Sequence, residues 1–135
     1  MPVRSGAEFL AGLRDGREVW LHGERVPDVT THPLLGRCAR TLAELYDLQH
    51  DPMLRSRLTY ASPTTGDPVG LSFIQPRSVD DLVRRREMFR LWADHAHGML
   101  GRSPDYMNAI LAGCAMAADY FGRGGAEYAE RLVAY

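Results

Sequence analysis

The longest uncharged apolar run, the ten residues Ala109 to Ala118, constrains the fold more than any other feature. That is about half the length a helix needs to cross a bilayer. The run therefore reads as a buried helix of a water-soluble core. It follows Ser103-Pro104, a capping residue and a favoured first helical residue. The pattern predicts that Asn108 to Phe121 is the most buried helix, with Ile110, Leu111, Cys114 and Met116 inward, unless a further domain covers it.

Glycine and proline punctuate the rest of the chain into short periodic segments. Ser5 and Glu8 have capping-box spacing and open a helix expected to stop near Gly16. Glu18–Leu21 and Arg25–Val26 flank His22-Gly23-Glu24, a hairpin pattern. A helix starting at Pro33 would place Leu34, Leu35, Cys38, Leu42, Leu45 and Tyr46 on its apolar face. Leu58–Ala61 and Val69–Ile74, joined by SPTTGDP, predict a second hairpin. Ser78, with Asp80 and Asp81 behind it, caps the longest helix, which carries Leu82, Val83, Phe89, Trp92, Ala93, Ala96 and Leu100 at helical spacing. Arg84, Arg85 and Arg86 read as a solvated face pairing with Glu87 and Asp81. Gly122–Gly125 breaks the next helix, and Ala126–Tyr135 begins another. The result is a helix-dominated chain with two minor hairpins, and its 135 residues suit a single domain.

Sixteen basic against seventeen acidic residues leave a net charge of −1, which gives no reason to expect nucleic acid or an anionic membrane surface. The N-terminus lacks the apolar stretch of a signal peptide. Cys38 and Cys114 have neither metal-site nor disulfide-framework spacing and read as buried reduced thiols of a cytoplasmic protein. No metal site is expected: His95 and His97 sit two apart on a helix and point in divergent directions. His22, His32 and His50 lie beside turns, where structural roles are favoured. No nucleotide-binding loop is recognisable.

Chemistry concentrates at Gly101-Arg102-Ser103-Pro104-Asp105-Tyr106-Met107-Asn108. With Ser103 as N-cap, Arg102 lies just outside the helix and Tyr106 in its first turn. Both side chains can reach the space before the helix N-terminus, where free N–H groups and the macrodipole favour an anion. Such a cup suits a carboxylate, a phenolate or a peroxide. The same spacing equally describes a capped helix whose Arg and Tyr pair with neighbours, and by itself favours that plainer reading.

This segment also carries a resemblance, together with Leu45-Tyr46-Asp47-Leu48-Gln49-His50-Asp51-Pro52, Leu58–Pro63, Gly70–Phe73 and Arg84–Met88. The chain resembles the oxygenase component of the two-component flavin monooxygenases typified by 4-hydroxyphenylacetate 3-monooxygenase. The resemblance implies an acyl-CoA-dehydrogenase-like flavoenzyme, of which residues 1–135 would be the mainly α N-terminal domain. A middle β-barrel and a C-terminal helical bundle would be absent from this chain. It implies reduced FAD delivered by a separate reductase, O2, a phenol hydroxylated ortho to its hydroxyl, and homo-oligomers. Arg102, Ser103, Pro104, Asp105 and Tyr106 would line the substrate pocket, with Arg102 and Tyr106 catalytic. The family's active-site histidine and most flavin contacts would lie beyond Tyr135, so the chain alone should not bind FAD tightly. Its interdomain face should expose an apolar patch.

Two rivals remain. One is a non-catalytic module that assembles with a flavin-binding chain. The other is the related 4-hydroxybutyryl-CoA dehydratase, disfavoured because its iron–sulfur chemistry needs cysteines that are missing near Arg102.

Overall fold

The structure is a computed structural model and describes residues 2–99 and 104–134, the side chains of Pro104 and Asp105 excepted. It is mainly helical with two small hairpins. Two compact units are formed, Met1–Val69 and Gly70–Tyr135.

In the first unit, helix α1 (Gly6–Gly12) carries the expected capping box: Glu8 N–H donates to Ser5 Oγ, and Ser5 N–H to the Glu8 carboxylate. The Ser5 hydrogen bonds hold the Glu8 pKa below its ordinary value. Strands β1 (Val19–Leu21) and β2 (Glu24–Val26) pair antiparallel, with Val19 opposite Val26 and Leu21 opposite Glu24. Their two-residue loop needs positive φ at both positions, and His22 and Gly23 adopt 53° and 82°. Beyond β2, Asp28 accepts from Thr30 N–H at 2.7 Å, Thr30 Oγ1–H at 2.6 Å and Arg14 Nε–H at 3.0 Å. These bonds, Thr30's foremost, lower the Asp28 pKa.

Helix α2 (Leu35–Leu48) starts after Pro33, not at it. His32 Nδ1 accepts from the N–H groups of Leu34 and Leu35, at 3.2 and 3.3 Å, and serves as the cap. The buried positions are Gly36, Ala39, Ala43 and Leu45, whereas Leu34 and Cys38 are exposed. Of the expected face, Leu45 is buried and Leu35, Leu42 and Tyr46 are half-buried, but the deepest contacts shift toward the small residues because α1 approaches too closely for large side chains. Gly6 N–H donates to Asp47 Oδ1 at 2.7 Å, and the Phe9 ring stacks on Tyr46 at 4.8 Å. Cys38 is thus not the buried thiol anticipated. A single helical turn, α3 (Arg55–Leu58), leads into β3 (Thr59–Ala61), which pairs with β4 (Pro68–Gly70). Both strands are shorter than expected. Leu58 belongs to α3, and Leu71–Phe73 is a turn of 3₁₀ helix.

In the second unit, α4 (Val79–His95) begins with a full capping box between Ser78 and Asp81. The Asp81 carboxylate accepts from the N–H groups of Arg77 and Ser78, which chiefly lowers its pKa, with a smaller contribution from Arg84. Met88, Trp92 and Ala96 form the buried face, while Leu82, Val83 and Ala93 are exposed; Leu100 lies outside the described residues. The apolar stripe therefore runs through the second half of the helix only. The Trp92 indole N–H is buried without a hydrogen-bond partner among the described residues.

Helix α5 (Pro104–Met116) stops short of the expected end and is followed by α6 (Ala118–Phe121), a 3₁₀ turn at Gly122–Gly124 and α7 (Ala126–Ala134). It packs against the 71–73 turn and against α7. It is not the most buried helix. Ala112 is buried and Leu111 and Cys114 are half-buried, but Ile110 and Met116 are 43% and 49% exposed. A helix apolar on every side exceeds what one neighbouring turn and one short helix can cover. Tyr106, Met107, Tyr120, Phe121, Tyr128 and Val133 are exposed as well. No helix among the described residues is long and apolar enough to cross a membrane.

Candidate functional site

The candidate site is the N-terminal end of α5. Within the described residues α5 runs from Pro104 to Met116. Arg102 and Ser103 lie outside the described residues, as do the side chains of Pro104 and Asp105. Of the five predicted pocket residues, the structure therefore describes the side chain of Tyr106 only, which is 49% exposed in the first turn. Two residues further on, Asn108 Nδ2–H donates to Ser72 Oγ at 2.9 Å. Ser72 is 1% exposed, in the 3₁₀ turn between β4 and α4. The bond joins positions 36 apart. Both residues lie in segments singled out in the sequence, Ser72 in Gly70–Phe73 and Asn108 at the end of the Arg102 motif. No local spacing rule pairs them.

The histidines play the parts their turns suggest. His22 occupies the first hairpin loop, His32 caps α2, and His97 takes φ 52° in the turn that ends α4. No group of His, Cys, Asp or Glu among the described residues is arranged to hold a metal ion. Burial raises the Tyr60 pKa, keeping that phenol neutral.

A hollow of about 510 Å³ is lined by Leu111, Phe121, Tyr128, Arg131 and Leu132. It is apolar and open, with Arg131 the one cation among its described lining residues. A smaller hollow of about 250 Å³ lies beside Arg14, Arg17 and Asp28. Its arginines are already engaged by Asp28 and Asp15, so neither hollow offers a diphosphate cradle.

Comparison with known proteins shows how far the arrangement is shared. The protein family described as "4-hydroxyphenylacetate 3-hydroxylase N terminal" matches residues 5–135. The chain is 47% identical to the 4-hydroxyphenylacetate 3-monooxygenase oxygenase component of Thermus thermophilus, covering 98% of this chain and 27% of that one. It is 44% identical to the oxygenase component of 4-nitrophenol 2-monooxygenase from a Rhodococcus species, over 87% of this chain and 23% of that one. A solved oxygenase component of 4-hydroxyphenylacetate 3-monooxygenase, complexed with FAD and 4-hydroxyphenylacetate, superposes with a TM-score of 0.89. It is 47% identical to this chain, covering 98% of it and 27% of the solved chain. The fold is thus the mainly α architecture found in a flavin-dependent oxygenase. The chain belongs to the 4-hydroxyphenylacetate 3-hydroxylase N-terminal family. It spans about a quarter of the length of the relatives it matches.

Proposed function

We propose that this chain is the N-terminal part of the oxygenase component of a two-component, FADH2-dependent phenol hydroxylase. The observation that carries this reading is 47% identity, across 98% of the chain, to a structure holding both FAD and 4-hydroxyphenylacetate. In the proposed reaction, one atom of O2 replaces the hydrogen ortho to the phenol hydroxyl as a new hydroxyl. The other leaves as water, and reduced FAD supplies two electrons and two protons and becomes oxidised FAD. A separate flavin reductase regenerates the reduced flavin, and the enzyme works as a cytoplasmic homo-oligomer.

In this reading Arg102, Ser103, Pro104, Asp105 and Tyr106 line the phenol pocket. The Arg102 guanidinium and the start of α5 stabilise phenolate character, which makes the ring more nucleophilic. Tyr106 hydrogen-bonds oxygen at the reacting end. FAD is held mainly by parts of the full-length protein beyond this segment. The exposed apolar side chains of α5, α6 and α7 suit cover by those further parts.

The test mixes full-length protein, dithionite-reduced FAD and 4-hydroxyphenylacetate with O2. The expected product is 3,4-dihydroxyphenylacetate. Arg102→Ala should lower its formation by on the order of 10²-fold. Arg102→Lys should recover part of that loss, because an ammonium lacks the planar fork. Absence of catechol from the wild type would overturn the function. Near-normal turnover by Arg102→Ala would leave the segment as a helix cap.

A further inference from the structure

Helix α5 has a positioning problem. Its residues from Ala109 to Met116 are all uncharged. Asn108, Leu111, Ala112 and Ala115 share its covered face, while the opposite, exposed face carries Tyr106, Ile110, Gly113 and, just past its end, Ala117, and is no more charged than the covered one. Burial orients a helix only when its apolar residues are sided. A slip of one residue would move α5 by about 1.5 Å and turn it by about 100°, exchanging one apolar contact for another. Tyr106 would swing through the same angle, and Arg102 precedes it on the same segment.

We propose that the Asn108–Ser72 hydrogen bond is the register pin of α5, and that both are positioning residues for the substrate-binding end of that helix. The second half of this statement rests on the phenol-pocket reading. The Ser72 hydroxyl is held in the 3₁₀ turn between fully buried Leu71 and buried Ile74, so it is a fixed reference point. The bond is 2.9 Å long and directional. A one-residue slip breaks it and strands a buried hydroxyl, a penalty that apolar repacking cannot offset. The pin thus selects one rotation of α5 among several that would present similarly apolar faces. Asn108 is half-buried, so truncating it opens no cavity deep in the core.

The test compares Asn108→Ala, Ser72→Ala, the double variant and Asn108→Asp in the full-length protein. In Asn108→Asp the Ser72 O–H can donate to the new carboxylate. Hydrogen exchange of the α5 amides is read first and needs no activity. Asn108→Ala should speed exchange at Met107–Leu111 by about tenfold or more. The double variant should be no worse than the worse single one, and Asn108→Asp should restore protection. With reduced FAD, O2 and 4-hydroxyphenylacetate, KM should rise by about tenfold and catechol formed per O2 consumed should fall. The rate of flavin oxidation should not change. Unaltered exchange in Asn108→Ala overturns the pin. Faster exchange with unaltered KM and coupling overturns the positioning role. A wild type without hydroxylase activity overturns the phenol reading, while the exchange data still judge the pin.

Discussion

Gly6→Ala is the perturbation whose outcome the structure determines most directly. A Cβ at this position would lie 2.5 Å from the Ala43 carbonyl oxygen, 2.5 Å from Asp47 Oδ2 and 2.9 Å from the Ala43 carbonyl carbon. Contacts this short do not persist, so α1 must move off α2 by about an ångström. Overpacking of this kind costs about 1–3 kcal/mol. The movement also breaks the 2.7 Å bond from Gly6 N–H to the Asp47 carboxylate, a charge-assisted bond worth about 1.5–3 kcal/mol. Better helix propensity returns at most about 1 kcal/mol. The net loss is about 1.5–5 kcal/mol, or on the order of 10 °C in Tm for a chain of this size.

The matched control is Gly12→Ala in the same helix. There the nearest atom is the flexible end of Arg4, 3.9 Å away, and the change should stabilise by about 0.5–1 kcal/mol. Adding Asp47→Ala to Gly6→Ala should not rescue it, because the Ala43 carbonyl is backbone and cannot be trimmed. Thermal and urea unfolding followed by circular dichroism measure all three. A Gly6→Ala protein within a degree of wild type, or a Gly12→Ala protein less stable than it, would refute the close-approach reasoning.

Three other outcomes are expected. Ser78→Ala removes the acceptor for Asp81 N–H and should cost about 1 kcal/mol in urea unfolding, whereas Ser78→Asp, which keeps a cap, should cost far less. Acid should destabilise the fold through carboxylates whose pKa is lower folded than unfolded: Glu8, Asp28, Asp81 and Asp15, the last held at about 2 by its bonds with Arg17. Their contribution is complete above the unfolded pKa and is lost as pH falls through the folded values, so Tm should drop from about pH 4 toward pH 2, less steeply in high salt; a Tm independent of pH in that window would contradict it. Ellman's reagent should modify exposed Cys38 about ten times faster than half-buried Cys114, and equal rates would place Cys38 elsewhere.

What was legible in the sequence is what local chemistry controls. Ser5 with Glu8 and Ser78 with Asp81 satisfy the first free N–H groups of a helix from within four residues, so both helix starts could be read directly. His22-Gly23 is similar, because a two-residue hairpin loop demands left-handed backbone of its own residues. The buried face of α2 is only partly legible: Leu45 lies on it as the spacing predicts, but the small residues do not announce themselves. Helical spacing points to Leu34 and Cys38, while the contact depends on Gly36, Ala39 and Ala43, whose value is that they are small. A Cβ on Gly36 would stand 2.6 Å from the Thr30 carbonyl oxygen, a constraint invisible until another segment is brought alongside.

The α5 segment shows why burial and function were unequally legible. Composition measures how much apolar surface a helix carries and says nothing about whether its neighbours suffice to cover it. Composition therefore predicts core at Ala109–Ala118, although among the described residues the 71–73 turn and short α7 are what pack on this helix most. A helix with apolar surface left over can associate with more structure, but the same surplus deprives it of a preferred rotation. Some directional contact must supply that rotation if Arg102 and Tyr106 are to face one ligand. A hydrogen bond to a buried hydroxyl does so at a single point, and Asn108 lies only two residues beyond Tyr106. The all-round apolar character that obscured the burial of α5 is thus what makes Asn108–Ser72 necessary.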